Sequence, residues 1–391
     1  MSHSFDRLVD RRNTRSYKWD QSEKLFGEPD VLPLWVADMD FPSPPAVKEA
    51  LIKRAELGLY GYAIRTDGYF EAIVHWFRER HHWELQPGWI ADSPSIVTSL
   101  SLAVEQFSEP GAAVVIQTPV YYPFYDVIES NGRKVAKNSL LLRNGRFEMD
   151  YENLEALFKE GARLMLLCSP HNPGGRVWER EELLKLGELC LKYQVTVISD
   201  EIHCDLTFPG HTHTPFASLS AELADMTVTC LAATKTFNLP GLHTSFIVAS
   251  NASLRRKIEN RLKTLSLHMA QHFAQDAVEA AYREGAAWLD DMMAYVKSNL
   301  DYAIGFLADN LPQVKPLRPE GTYLLWVDCR GLGLDRKGLK DLMYLRAKVA
   351  FNEGSVFGTE GEGWLRINLA CPRSILEQAL KQFCDAANTA D

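Results

Sequence analysis

Val195-Thr196-Val197-Ile198-Ser199-Asp200-Glu201-Ile202-His203, with Thr227-Val228-Thr229-Cys230-Leu231 and Ala232-Ala233-Thr234-Lys235-Thr236-Phe237-Asn238 after it, decides how the rest of the chain is read. Both apolar runs have the length of a strand, and each is followed by an ionisable group, Asp200 in one case and Lys235 in the other. Continuous rather than alternating apolar character marks strands covered on both faces, as in a parallel sheet. A lysine among Ala, Thr and Phe either snorkels to water or stays desolvated. Desolvation lowers an amine's pKa and favours its nucleophilic form.

Working outward, 164–168 and 112–116 repeat the buried-strand pattern, 181–193 is an amphipathic helix, and 244–248 is a further apolar run. Asn172 sits in the loop Ser169-Pro170-His171-Asn172-Pro173-Gly174-Gly175. Strands alternating with helices predict βαβ units, and in such sheets ligands gather at the carboxyl ends of strands, where Asn172, Asp200 and Lys235 all fall. Helical spacing covers 46–57 and 70–81, and Ser93-Pro94-Ser95-Ile96-Val97 opens another helix whose start suits an anion. The first forty residues read as irregular. Beyond about 310, prolines, a strand at 322–327, a glycine-rich turn and a last helix at 375–387 suggest a change of unit. The expected architecture is α/β, with a large domain at 47–290 built on a mostly parallel central sheet and a smaller α+β domain formed by 1–46, including an N-terminal arm, and 291–391.

At 391 residues, 46% hydrophobic and 24% charged, the chain is globular in composition and large enough for two domains. A net charge of -9 without a basic run argues against nucleic acid. The seven scattered cysteines contain no C-x-x-C, and no run of 18 apolar residues or secretory h-region occurs, so reduced thiols in a cytoplasmic protein are expected. G-x-G-x-x-G after a strand, the P-loop and G-x-S-x-G are all absent. His203, Asp205, His211 and His213 do not define a coordination geometry, and no metal is expected.

What remains is a lysine, an aspartate, an asparagine and a late arginine, the set that pyridoxal 5′-phosphate (PLP) requires. Leu34-Trp35-Val36-Ala37-Asp38-Met39-Asp40-Phe41, Gly61-Tyr62, the 168–178 segment, Ser199-Asp200-Glu201-Ile202-His203, Lys235-Thr236-Phe237-Asn238 and Leu365-Arg366-Ile367-Asn368 resemble the fold-type I, class I/II aminotransferase-like PLP enzymes. Within them, the chain is similar to the bacterial cystathionine β-lyase (C-S lyase) branch. The resemblance implies that Lys235, Asp200 and Tyr121 form the catalytic set: Lys235 bonds the cofactor, Asp200 partners its ring nitrogen and Tyr121 stacks on the ring. Asn172 and His203 face the ring 3-oxygen, and Ile96, Val97, Thr234 and His243 lie around the phosphate. Ala232 and His243 depart from the serine and arginine common in aminotransferases.

Tyr62 is expected to reach the phosphate in a neighbouring subunit, which makes the protein a homodimer with shared sites. The resemblance also implies that Arg366 takes the substrate carboxylate, with Trp35, Tyr60 and Asn172 on the substrate side. The implied reaction is α,β-elimination of L-cystathionine or a related cysteine S-conjugate to a thiol, pyruvate and ammonia, and an aminotransferase is the alternative.

Overall fold

The computed structural model describes residues 4–389. Its central sheet has seven strands: β1 Ile90–Ser93, β2 Ala113–Thr118, β3 Lys134–Ser139, β4 Leu164–Cys168, β5 Thr196–Asp200, β6 Thr227–Leu231 and β7 Ser245–Val248. Their order is β1-β7-β6-β5-β4-β2-β3. The strands β2 to β6 run parallel, whereas β7 is antiparallel to both β6 and β1.

The apolar runs are buried because helices cover both faces. Leu164, Leu166 and Cys168 pack into a cluster with the helix Ile96–Phe107, while Met165 and Leu167 point the other way, toward the helix Arg180–Tyr193. Every residue of β4 and β6 is buried. Sequence reading missed β1 and β3. The strand β3 forms one edge of the sheet and carries Lys134, Lys137 and Asn138, the polar composition that protects an edge from unwanted pairing and hides it from a search for apolar runs.

A second, four-stranded antiparallel sheet joins β8 Lys315–Leu317, β9 Leu324–Asp328, β10 Asn352–Glu353 and β11 Trp364–Asn368 in the order β8-β9-β11-β10. The helices Ala286–Asn310 and Arg373–Asn388 share one apolar cluster with it. Among the described residues, no helix is long and apolar enough to cross a membrane.

The N-terminal stretch is more ordered than its sequence suggests, with short helices at Tyr17–Asp20 and Ser22–Phe26. It holds the segment after Leu34 in place. The Lys18 side chain is fully buried, with Nζ 2.6 Å from Asp40 Oδ2, while Arg11 pairs with Asp38 at 2.8 Å and Asp40 at 2.7 Å. From the far side, Asn368 Nδ2 donates to the carbonyls of Val36 and Asp38 at 2.6 Å each, and Asn238 Nδ2 donates to those of Met39 and Phe41. Two asparagines and a buried ion network thus fix an irregular strip whose backbone groups would otherwise lack partners.

Removing Lys18 leaves the buried Asp40 carboxylate with Arg11 as its remaining cation, so Lys18→Met should cost on the order of 2 kcal/mol, less than the loss of a sole partner. Lys337→Met breaks a surface pair whose lysine is 83% exposed and should leave the unfolding midpoint essentially where it is. Urea unfolding of the two variants beside the parent checks the contrast.

Candidate active site

A cavity of about 240 Å³ opens where β4 and β5 end and the turn after β6 begins, closed from the other side by β11 and the strip around Trp35. Lys235 enters from the four-residue helix Ala233–Thr236. Its Nζ donates to the Ala37 carbonyl, which also accepts from Tyr323 Oη at 3.0 Å. Lys235 retains some accessible surface toward the cavity. Enclosure nonetheless draws its ammonium down to about 8; the charges of Asp38 and Asp200 oppose that fall and Arg366 adds to it.

Asp200 ends β5 and is buried; the Ile202 amide donates to its Oδ1 at 3.2 Å. Burial pushes its carboxyl up to about 7, against the Ile202 amide and Lys235, with the Glu201 charge adding to the rise. His203, just past it, is buried with Nδ1 lacking a hydrogen-bond partner. Burial lowers its pKa to about 3, helped by Lys235 and Arg366, so the ring is neutral at pH 7.

Arg366 comes from the middle of β11 and is 3% exposed. Its guanidinium donates to Asn172 Oδ1 at 3.0 Å, to the Trp35 carbonyl at 2.8 Å and to Asn352 Oδ1 at 2.5 Å, while Nε has no partner. All three acceptors are neutral, and among the described residues Arg366 makes no ion pair. Burial lowers its pKa to about 10. A buried guanidinium without a carboxylate is a site for a ligand's anionic group.

Tyr121 is fixed by its amide, which donates to the Asn172 carbonyl at 3.0 Å, and burial raises its hydroxyl pKa. At one end of the cavity, Ser95 Oγ caps the Thr98 amide at 3.1 Å. The amides of Ile96 and Val97, at the first two helical positions, have no intrahelical acceptor. Thr234 and His243 also line the cavity. Tyr60 and Tyr62, by contrast, lie outside this chain's cavity, 62% and 94% exposed, and the Tyr60 hydroxyl donates to the Ala55 carbonyl.

Of the four residues weighed as metal ligands, His203 lines the cavity, His213 pairs with Glu201 at 2.8 Å, Asp205 hydrogen-bonds to His81, and His211 lies in a separate groove. Sequence reading missed Asn352, Tyr17 and Tyr323. Asn352 stands opposite Arg366 only through the β10–β11 register, and Tyr17 reaches Trp35, 5.4 Å between ring centres, through a fold of the arm. Neither relation leaves a local signal in the sequence.

Residues 29–383 match the family model for aminotransferase class I and II. Cystathionine beta-lyase PatB of Bacillus subtilis is 45% identical over 97% of this chain and 98% of its own. The chain belongs to the class I and II aminotransferase family, in its carbon–sulfur lyase branch. Among solved structures, PLP-containing cystalysin from Treponema denticola superposes with a TM-score of 0.97 at 36% identity, covering 100% of both chains. A PLP-bound putative aminotransferase from Clostridium difficile 630 also gives 0.97, at 42% identity over 99% of this chain and 100% of its own.

As a member of this family the protein is a fold-type I PLP enzyme, and its residues fit that cofactor. Among the described residues, the cavity offers an amine of lowered pKa, a buried carboxylate without a salt bridge, an orphaned His203 Nδ1 and free helix-start amides.

The charges around Lys235 set the sign of a pH test. In protein freed of cofactor, the Lys235 amine, followed by reductive ¹³C-methylation and NMR, should titrate near pH 8. Asp38→Asn should lower that midpoint, because a charge favouring the ammonium is lost, and Arg366→Met should raise it.

Proposed function

We propose that the protein catalyses α,β-elimination of L-cystathionine or a related cysteine S-conjugate, releasing a thiol, pyruvate and ammonia. The observation that carries this reading is Arg366, a buried guanidinium held by neutral oxygens in the same cavity as Lys235. The pair suits an amino acid, whose carboxylate and Cα then have fixed places.

PLP, when bound, supplies an electron sink for the pair released at Cα. Lys235 would anchor it, Asp200 would partner its ring nitrogen, and Asn172 and His203 would serve its ring oxygen; Tyr121 would stack on it, and the Ile96 and Val97 amides, Thr234 and His243 would take its phosphate. Arg366 takes the substrate carboxylate with the donors of its planar guanidinium, exchanging a neutral acceptor on Nη2 for a charged one, a fork that a lysine at that position would not reproduce. Trp35 and Asn172 shape the substrate side.

Lys235 Nζ then takes the Cα proton, a step that requires the neutral amine, the form that burial favours. The Cβ–S bond breaks readily because a thiol of pKa about 8.5 is a good leaving group. Water finally divides the remaining fragment into pyruvate and ammonia.

The cavity is completed, on this reading, by a second copy of the chain. Tyr62 is 94% exposed, as are Leu59 and Ile64 near it in sequence at 69% and 78%, and the segment that pairs with theirs through the Ala63–Ala270 bridge exposes Leu267 and Met269 at 37% and 47%. Such an apolar patch is what an isologous dimer covers. Tyr62 and Tyr60 then enter the partner's site. The two-domain division at 47–290 and a cytoplasmic location, consistent with seven buried free cysteines, belong to the same proposal.

Incubation with L-cystathionine and no keto acid should yield pyruvate and thiol over many turnovers. A single turnover that stalls with the cofactor in its amine form would make the protein an aminotransferase instead. Lys235→Ala should abolish the borohydride-reducible visible band. Tyr62→Ala should weaken PLP binding about tenfold or more, the worth of a hydrogen bond to a charged group, in a protein that sediments as a dimer.

A further inference from the structure

We infer that Asp205 is a positioning residue for Lys235, acting through Thr236. The inference rests on Lys235 being the cofactor-bearing lysine proposed above.

Thr236 follows Lys235 in the four-residue helix Ala233–Thr236, whose N-cap, Ala232, makes no side-chain hydrogen bond. So short a helix fixes little by itself, because each end leaves most of its backbone groups without intrahelical partners. The Thr236 hydroxyl, fully buried, donates to Asp205 Oδ2 at 2.7 Å. The other carboxylate oxygen, Oδ1, accepts from Trp76 Nε1 at 2.9 Å and from His81 Nε2 at 2.8 Å. Both of these donors belong to the helix Asp67–His81, which packs in the apolar cluster beneath the site. Asp205 thus ties the residue next to Lys235 to a fifteen-residue helix.

Cys204 lies near this hub, and His81, Cys204 and Asp205 bring ligand-type atoms within 4.8 Å of one another. Both Asp205 oxygens are already engaged by three donors, however, so the geometry is that of a hydrogen-bond hub rather than of a cation site. The side chains of Asp205 and His81 are only 1% and 5% exposed. The donors keep the carboxyl in its ionised form despite burial.

Desolvation offsets much of the attraction in such a hub, so its net contribution to stability is small. Its effect is positional. Lys235 Nζ has to serve both as an anchor and as a base at Cα, and slack of about 1 Å in a reacting group costs up to about a hundredfold in rate.

The experiment uses holoenzyme of the parent, Thr236→Val, Thr236→Ser, Asp205→Ala and the double variant Thr236→Val/Asp205→Ala. Thr236→Val keeps the volume and removes the donor, so it isolates the bond even where Asp205→Ala fails to fold. Three quantities are read: kcat and KM for elimination, the pH midpoint of the visible PLP band, and the thermal midpoint.

Thr236→Val should lower kcat on the order of tenfold with KM nearly unchanged, and should move the band midpoint by about half a pH unit or more. Thr236→Ser should restore both. The double variant should be no worse than the worse single variant, since both act on one bond. If Thr236→Val changes only the thermal midpoint, Asp205 is a structural brace and the inference is overturned. If the parent itself shows no reducible band, the Lys235 assignment has failed instead.

Discussion

The Arg366 guanidinium, buried among the oxygens of Asn172, Trp35 and Asn352, sets the terms for the rest of the site. A desolvated cation served only by neutral acceptors raises the energy of the empty protein. Asp200 imposes the mirror cost, as a carboxylate sealed at the end of β5 with a raised pKa. The scaffold around them has to be stiff enough to tolerate both. It achieves this with completely buried parallel strands on one side and an antiparallel sheet on the other. Ligands that bring the missing counter-charges stabilise the folded state by their own binding energy, so occupancy and stability are linked here.

The large sheet was legible because β4, β5 and β6 are apolar on both faces, which leaves no ambiguity about period. Asp200 and Lys235 followed from it, since a charge that ends such a run has few places to go. The polar edge strand β3 gave no such signal, and the arm looked formless. Its order arises from Lys18, Arg11, Asp38 and Asp40 meeting across more than twenty residues of sequence. Asn352 shows the same limit. A two-residue strand acquires its role only from register, and register between distant strands cannot be read from local pattern.

The strip from Leu34 to Phe41 mediates between the two sheets. It is neither helix nor regular strand beyond Pro33, yet its carbonyls are taken by Asn238, next to the lysine helix, and by Asn368, at the end of β11. The strip therefore registers the lysine against the arginine. Two side-chain amides, each able to donate twice, replace the ladder that a sheet would have provided.

The Ala37 carbonyl accepts from both Lys235 Nζ and Tyr323 Oη. A carbonyl oxygen has two lone pairs, and Tyr323 holds one of them whatever the lysine does. When the amine swings away, this acceptor is left half-served rather than orphaned. Ala37 thus acts as a mooring that can be cast off and retaken at little cost, which suits the alternation between two partners proposed for Lys235.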